Sequence, residues 1–94
     1  MKDYELTVVF SPEVLEENFA GEVEKVTQLI VQKGGTITGE VNRWGKKRLA
    51  YPIKRFREGN YVLAQFKVDP QQTRDIERSL QTSEVVLRHL LVKL

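Results

Sequence analysis

Hydrophobic and polar positions alternate over residues 4–10. Tyr4, Leu6, Val8 and Phe10 share one side of an extended chain, and Glu5, Thr7 and Val9 share the other. This two-residue period predicts a strand with one apolar face. Ser11-Pro12-Glu13 then supplies a capping hydroxyl, a proline suited to the first helical position and an acid in the first turn, so a helix is expected to start there. Leu15, Phe19, Val23, Val26 and Ile30 recur at spacings of four, four, three and four, which places them on one helical face. Gly21 lies inside that helix at a cost of about 1 kcal/mol, which favours irregular first turns, and Gly34-Gly35 ends it.

Residues 36–53 read as one long strand with an interruption. Ile37 and Val41 alternate with polar neighbours, Trp44-Gly45 breaks the pattern, and Leu49, Tyr51 and Ile53 resume it. A glycine inside a strand pattern marks a bulge or bend, here expected at Gly45. Pro52 has no N–H for a ladder, which assigns the strand to a sheet edge. Residues 54–60, with Gly59-Asn60, read as a polar hairpin loop. A strand follows over 61–68, with Val62, Ala64, Phe66 and Val68 on one face. Asp69-Pro70 repeats the helix-start signal, Thr73, Ile76, Leu80 and Ser83 mark a narrow second helical face, and a leucine-rich strand over 85–94 completes the pattern.

The predicted order is β-α-β-β-α-β within a single domain, residues 1–94. That is the α+β, ferredoxin-like arrangement, a four-stranded antiparallel sheet with two helices on one face. Its first and third strands are central, so the second strand falls on an edge, in agreement with Pro52. Many unrelated activities share this fold, and function must be argued from a site.

Charge is what singles out a site. Residues 1–42 carry three basic and eight acidic side chains, a net of −5. Residues 43–57 carry seven basic ones (Arg43, Lys46, Lys47, Arg48, Lys54, Arg55, Arg57) and no acid, a net of +7, and residues 58–94 balance. Clustered charge of this kind fits a polyanionic partner. It equally fits a charged edge strand that discourages aggregation. Composition narrows the class further. Ninety-four residues, 40% of them hydrophobic, can bury roughly 60–65% of the unfolded surface in one core. With no cysteine there is no disulfide or thiolate metal site, which suits a reducing compartment. No apolar run reaches the roughly 18 residues of a membrane span, and no signal-peptide pattern opens the chain. The expectation is a soluble cytoplasmic monomer that folds without metal or cofactor.

Catalysis finds little support. The one histidine, His89, falls mid-strand, where a structural or surface role outweighs a catalytic one. The glycines form no phosphate-cradling motif, and Glu13, Glu16, Glu17, Glu22 and Glu24 read as a solvated helix face. Among nucleic-acid binders the RRM shares the topology but stacks bases on third-strand aromatics. Here Ala64 stands where the last aromatic belongs, leaving Tyr61 as a lone ring, so the RRM reading fails.

The segment Trp44-Gly45-Lys46-Lys47-Arg48-Leu49-Ala50-Tyr51-Pro52-Ile53 resembles the G-x-[KR]-[KR]-L-A-Y-x-I signature of the bacterial small-subunit ribosomal protein six family. The likeness extends over nearly the whole chain, through the opening Met-Lys-Asp-Tyr-Glu, the long interrupted second strand, Glu58-Gly59 before the third, and Leu91-Val92-Lys93 near the end. Members often carry a charged C-terminal tail; these residues end at Leu94, so no role for such a tail is carried over. The resemblance implies a structural constituent of the small subunit, bound to the ribosome. It implies binding to the central domain of the small-subunit (16S) ribosomal RNA together with small-subunit ribosomal protein eighteen. Lys46, Lys47 and Arg48 fall on the motif as RNA contacts, joined by Lys54, and by Lys2, Arg88 and Lys93 from the first and last strands. Arg43, Trp44, Gly45 and Tyr51 are the expected protein-partner edge, with Trp44 either an anchor for the partner or a cover for the core at the bend. A ligand-sensing regulatory domain, which needs a pocket and an effector, is the alternative from another class, and a small enzyme on the same fold is a further one.

Overall fold

A computed structural model describes residues 1–39 and 41–94. The elements run β1 Lys2–Phe10, α1 Glu16–Gln32, β2 Thr36–Ile37, β3 Asn42–Ile53, β4 Phe56–Val68, a short 3-10 helix Pro70–Gln72, α2 Thr73–Gln81 and β5 Val86–Lys93. The sheet is antiparallel and ferredoxin-like, in the order β2-β4-β1-β5, with β3 also paired to β4. The central strands are thus the predicted first and third.

The predicted long second strand is two strands, so the sheet has five instead of four. β2 pairs with the C-terminal end of β4 (Thr36 with Lys67, Ile37 with Phe66) and β3 with its N-terminal part (Asn42 with Leu63 to Arg48 with Glu58, then, after a register shift, Ile53 with Phe56). Gly39 weakens strand pairing at the break because it has the most backbone freedom to lose. Glu40, inside the predicted strand, lies outside the described residues. The expected bulge is present: the register shifts between Arg43 and Gly45, and Gly45 has φ +81°.

Helix α1 starts later than Ser11-Pro12-Glu13 suggests. Ser11 is buried and still serves the sheet, donating its backbone N–H to the Val85 carbonyl at 2.8 Å. Its hydroxyl accepts the Glu13 N–H at 3.1 Å, so the capping signal closes a turn and the helix begins at Glu16. Leu15 consequently sits 58% exposed at the N-cap, and Val14 packs against the core in its place. At the other end Gly35 N–H reaches the Ile30 carbonyl at 2.9 Å and Gly34 N–H the Val31 carbonyl at 3.0 Å, the paired bonds of a Schellman cap. Asp69 accepts the Gln71 N–H at 2.9 Å over the 3-10 turn that Pro70 opens, and α2 follows from Thr73.

The core lies between one sheet face and both helices. Tyr4, Leu6, Val8 and Phe10 meet Val62, Phe66 and Val68 across the sheet, and Phe19, Val23, Val26, Ile30, Ile76 and Leu80 close over them. Each fully buried side chain of this size contributes about 1.5–3 kcal/mol. Tyr4 stacks near Phe66 with centroids 6.1 Å apart, and Phe10 meets Phe19 edge-on at 5.6 Å.

The predicted 54–60 loop is a two-residue turn. Ile53 pairs with Phe56, and Lys54 (φ 49°) and Arg55 (φ 73°) both take positive φ, as a tight hairpin turn whose twist matches its strands requires. Gly59 and Asn60 are inside β4. Bulky L-residues are strained at positive φ by about 1–2 kcal/mol each. Replacing Lys54→Asn and Arg55→Gly together is therefore expected to stabilise the protein by on the order of 1 kcal/mol, read as a rise in the denaturant midpoint at constant slope.

Candidate nucleic-acid interface

Strand β4 has 13 residues and β1 has 9. Their pairing ends where Asn60 meets Phe10, so residues 56–59 have only β3 beside them. Beyond that point β3 and β4 form a hairpin arm that continues past the end of β1 for about 13 Å at the usual rise per residue. Lys47, Arg48, Lys54, Arg55 and Arg57 lie on this arm, with Glu58 its one acid. All five are exposed, as are Arg43 and Lys46 at its base, and none forms an ion pair among the described residues. Burial thus consumes none of the +7 segment.

The arm folds back over the end of the sheet. Gly59 is buried at its root: a Cβ there would run into the Val9 side chain and come within 3.2 Å of the Phe10 carbonyl oxygen, with Leu49 Cδ2 at 3.8 Å. Val9, on the face away from the helices, is only 4% exposed for this reason. Phe56 lines a cleft with Ser11, Val14 and Val85, and Lys54 one with Leu80, Val86 and Arg88. The tip therefore spans from one sheet edge toward the start of β5.

The predicted site residues separate into groups. Lys46, Lys47 and Arg48 stand opposite Asn60, Gly59 and Glu58. Arg43 spreads its guanidinium 5.3 Å from the centroid of the Phe19 ring on α1. Trp44, 49% exposed in the bulge, carries the Lys47 ammonium 4.7 Å over its ring. Tyr51 is 55% exposed and accepts a hydrogen bond from Arg88 Nη1 at 2.7 Å. Lys2 and Lys93 are exposed at the opposite end of the sheet, where Lys2 pairs with Val68 and Lys93 with Tyr4. Eight residues of β1 separate that end from the arm root, roughly 26 Å, so the two groups are distinct. Sequence reasoning missed Arg55 and Arg57 as site candidates, although both lay in its basic run; the assumed loop hid that Arg57 belongs to β4 on the same hairpin as Lys47 and Arg48, with Arg55 in the turn that joins its two strands.

The features an enzyme or sensor requires are scarce among the described residues. No group of three His, Asp or Glu converges as metal ligands. His89 Nε2 lies 3.4 Å from Glu77 Oε1, linking β5 to α2. The two most apolar clefts measure about 160 and 130 Å³, below the roughly 300–1,000 Å³ of small-molecule sites, and the larger ones, about 320–410 Å³, are open and lined in part by charged residues. No helix is long and apolar enough to cross a membrane.

Fold and site define a ferredoxin-like domain built around a basic, solvent-facing hairpin arm. The family model described as ribosomal protein S6 matches residues 3–93. The chain is 44% identical over 94 residues to small ribosomal subunit protein bS6 of Moorella thermoacetica, covering all of this chain and 95% of that one. It is 42% identical over 93 residues to the bS6 protein of Caldanaerobacter subterraneus subsp. tengcongensis, covering 99% and 97%. The crystal structure of 30S ribosomal protein S6 from Thermotoga maritima superposes with a TM-score of 0.92 at 30% identity, over 99% of this chain and 87% of that one. The chain belongs to the ribosomal protein S6 family, proteins of the small ribosomal subunit, and is a structural constituent and not an enzyme.

Because Gly59 leaves no room for a Cβ, Gly59→Ala is expected to destabilise the protein by roughly 1–3 kcal/mol, the usual range for overpacking. Chemical denaturation measures this. A stability equal to that of the wild type would mean that Val9 and the arm root yield freely.

Proposed function

We propose that this chain binds the central domain of small-subunit (16S) ribosomal RNA side by side with small-subunit ribosomal protein eighteen. The observation that carries the reading is the arm: seven exposed cations on one hairpin, none in an ion pair among the described residues. Lys46, Lys47, Arg48 and Lys54 neutralise phosphates, a sequence-independent attraction that displaces counterions. Arg55 and Arg57 extend the same surface. The protein partner takes the open side of β3, where unpaired backbone groups accept an added segment, with Trp44 as the exposed aromatic anchor. Arg43 and Gly45 flank it, and Tyr51 lies seven residues further along β3. Lys2 and Lys93 contribute where RNA follows the sheet to its other end. Alone the chain is a monomer, its charged edge opposing self-pairing.

Replacing Lys46, Lys47 and Arg48 together by Glu is expected to abolish RNA association while circular dichroism stays native, because all three side chains are exposed. Undiminished association with poorer solubility would make the cluster an edge guard only.

Binding is also expected to be weak alone and strong beside the partner. The −5 first part of the chain offsets long-range attraction to RNA, and a basic partner on β3 extends the positive face and pre-orders it. Each added phosphate contact steepens the logarithmic salt slope by about 0.7–0.9. Titrating central-domain RNA at several salt concentrations, with and without the partner, should give higher affinity and a steeper slope for the pair. Equal affinities and slopes in both series would show that the chain reads RNA unaided.

A further inference from the structure

The Tyr51–Arg88 contact joins two residues 37 positions apart in sequence, one on the basic arm and one on the opposite edge strand. The Arg88 guanidinium carbon lies 5.7 Å from the Tyr51 ring centroid, and Nη1 donates to the hydroxyl at 2.7 Å. Around it a ring of contacts closes. Arg88 pairs with Val9 across the β1–β5 ladder, Val9 lies against Gly59, and Leu49, two residues before Tyr51, lies beside Gly59. The arm is otherwise a two-stranded ribbon with no sheet neighbour, and isolated ribbons are marginal in water. Its five cations and single acid also repel one another within a Debye length of about 8–10 Å.

We propose that Arg88 and Tyr51 form a clasp that holds the basic arm at a fixed angle to the sheet, so that Arg88 acts in RNA binding as a positioning residue and not as a phosphate contact. Arg88 suits the task because its planar fork donates to the hydroxyl while its face meets the ring. Holding the arm before RNA arrives removes an ordering cost from binding. The clasp itself stands on geometry alone; its consequence for RNA rests on the function proposed above.

The test uses Tyr51→Phe, which removes only the hydroxyl, and Arg88→Met, which keeps the stem and removes both contacts. Residue-resolved amide hydrogen exchange on the isolated protein is expected to speed up over residues 49–58, roughly three- to tenfold in Arg88→Met and less in Tyr51→Phe. Amides of β1 and α1 should exchange as in the wild type. Unchanged exchange over 49–58 in Arg88→Met overturns the clasp. In RNA titrations with the partner present, both variants should bind a few-fold more weakly with the salt slope unchanged. A slope lowered by about 0.7–0.9 in Arg88→Met, with Tyr51→Phe binding as the wild type, would make Arg88 a phosphate contact and overturn the positioning role. Wild-type protein that fails to bind RNA would sink the proposed function, while the exchange comparison would still decide the clasp.

Discussion

The four residues by which β4 outruns β1 shape everything that distinguishes this molecule from a plain two-layer domain. Up to Asn60, β4 has neighbours on both sides and its apolar residues face the helices. From Gly59 outward it has β3 alone. A ribbon of this kind gains little from sheet pairing and must find its order elsewhere. Here that order comes from Gly59 against Val9, Leu49 beside it, and Phe56 over the turn at Ser11–Val14. The charged residues are then free to face water.

The placement of charge follows from the same division. The acids Glu16, Glu17, Glu22 and Glu24 belong to α1 in the helix layer, which also carries Lys25, Arg74 and Arg78, and the seven cations of residues 43–57 belong to the sheet edge and arm. Such separation gives the molecule an oriented field despite a net charge of only +2, and an oriented field steers a polyanion toward one face. Edge protection and RNA attraction are not rival explanations of the basic run at the level of structure. Like charges along β3 oppose pairing with a second copy and attract phosphate for one electrostatic reason.

Much of this was legible in the chain. The periods of two and about 3.6, the Gly34-Gly35 stop, the bulge at Gly45 and the edge position required by Pro52 are local signals, and each is present in the structure. They follow from backbone sterics and side-chain periodicity, which neighbouring residues settle among themselves. The basic run and its family signature likewise marked the segment proposed above to bind RNA.

Other features needed the tertiary structure. The late start of α1 arose because Val85, more than seventy residues away, claims the Ser11 N–H at 2.8 Å. The hairpin turn fell at Lys54-Arg55, which carry no turn signature, because the β3–β4 register puts Ile53 opposite Phe56; Gly59 was needed for a close approach and not for a turn. The division of the cations into an arm and a remote pair at Lys2 and Lys93 depends on which strand ends lie together. So does the meeting of Tyr51 with Arg88. Composition and period determined the elements, the edge and the sign of the surface. Only the register between strands distant in sequence decided where the chain turns, which residues touch and which charges share one surface, because those depend on distances that no local pattern encodes.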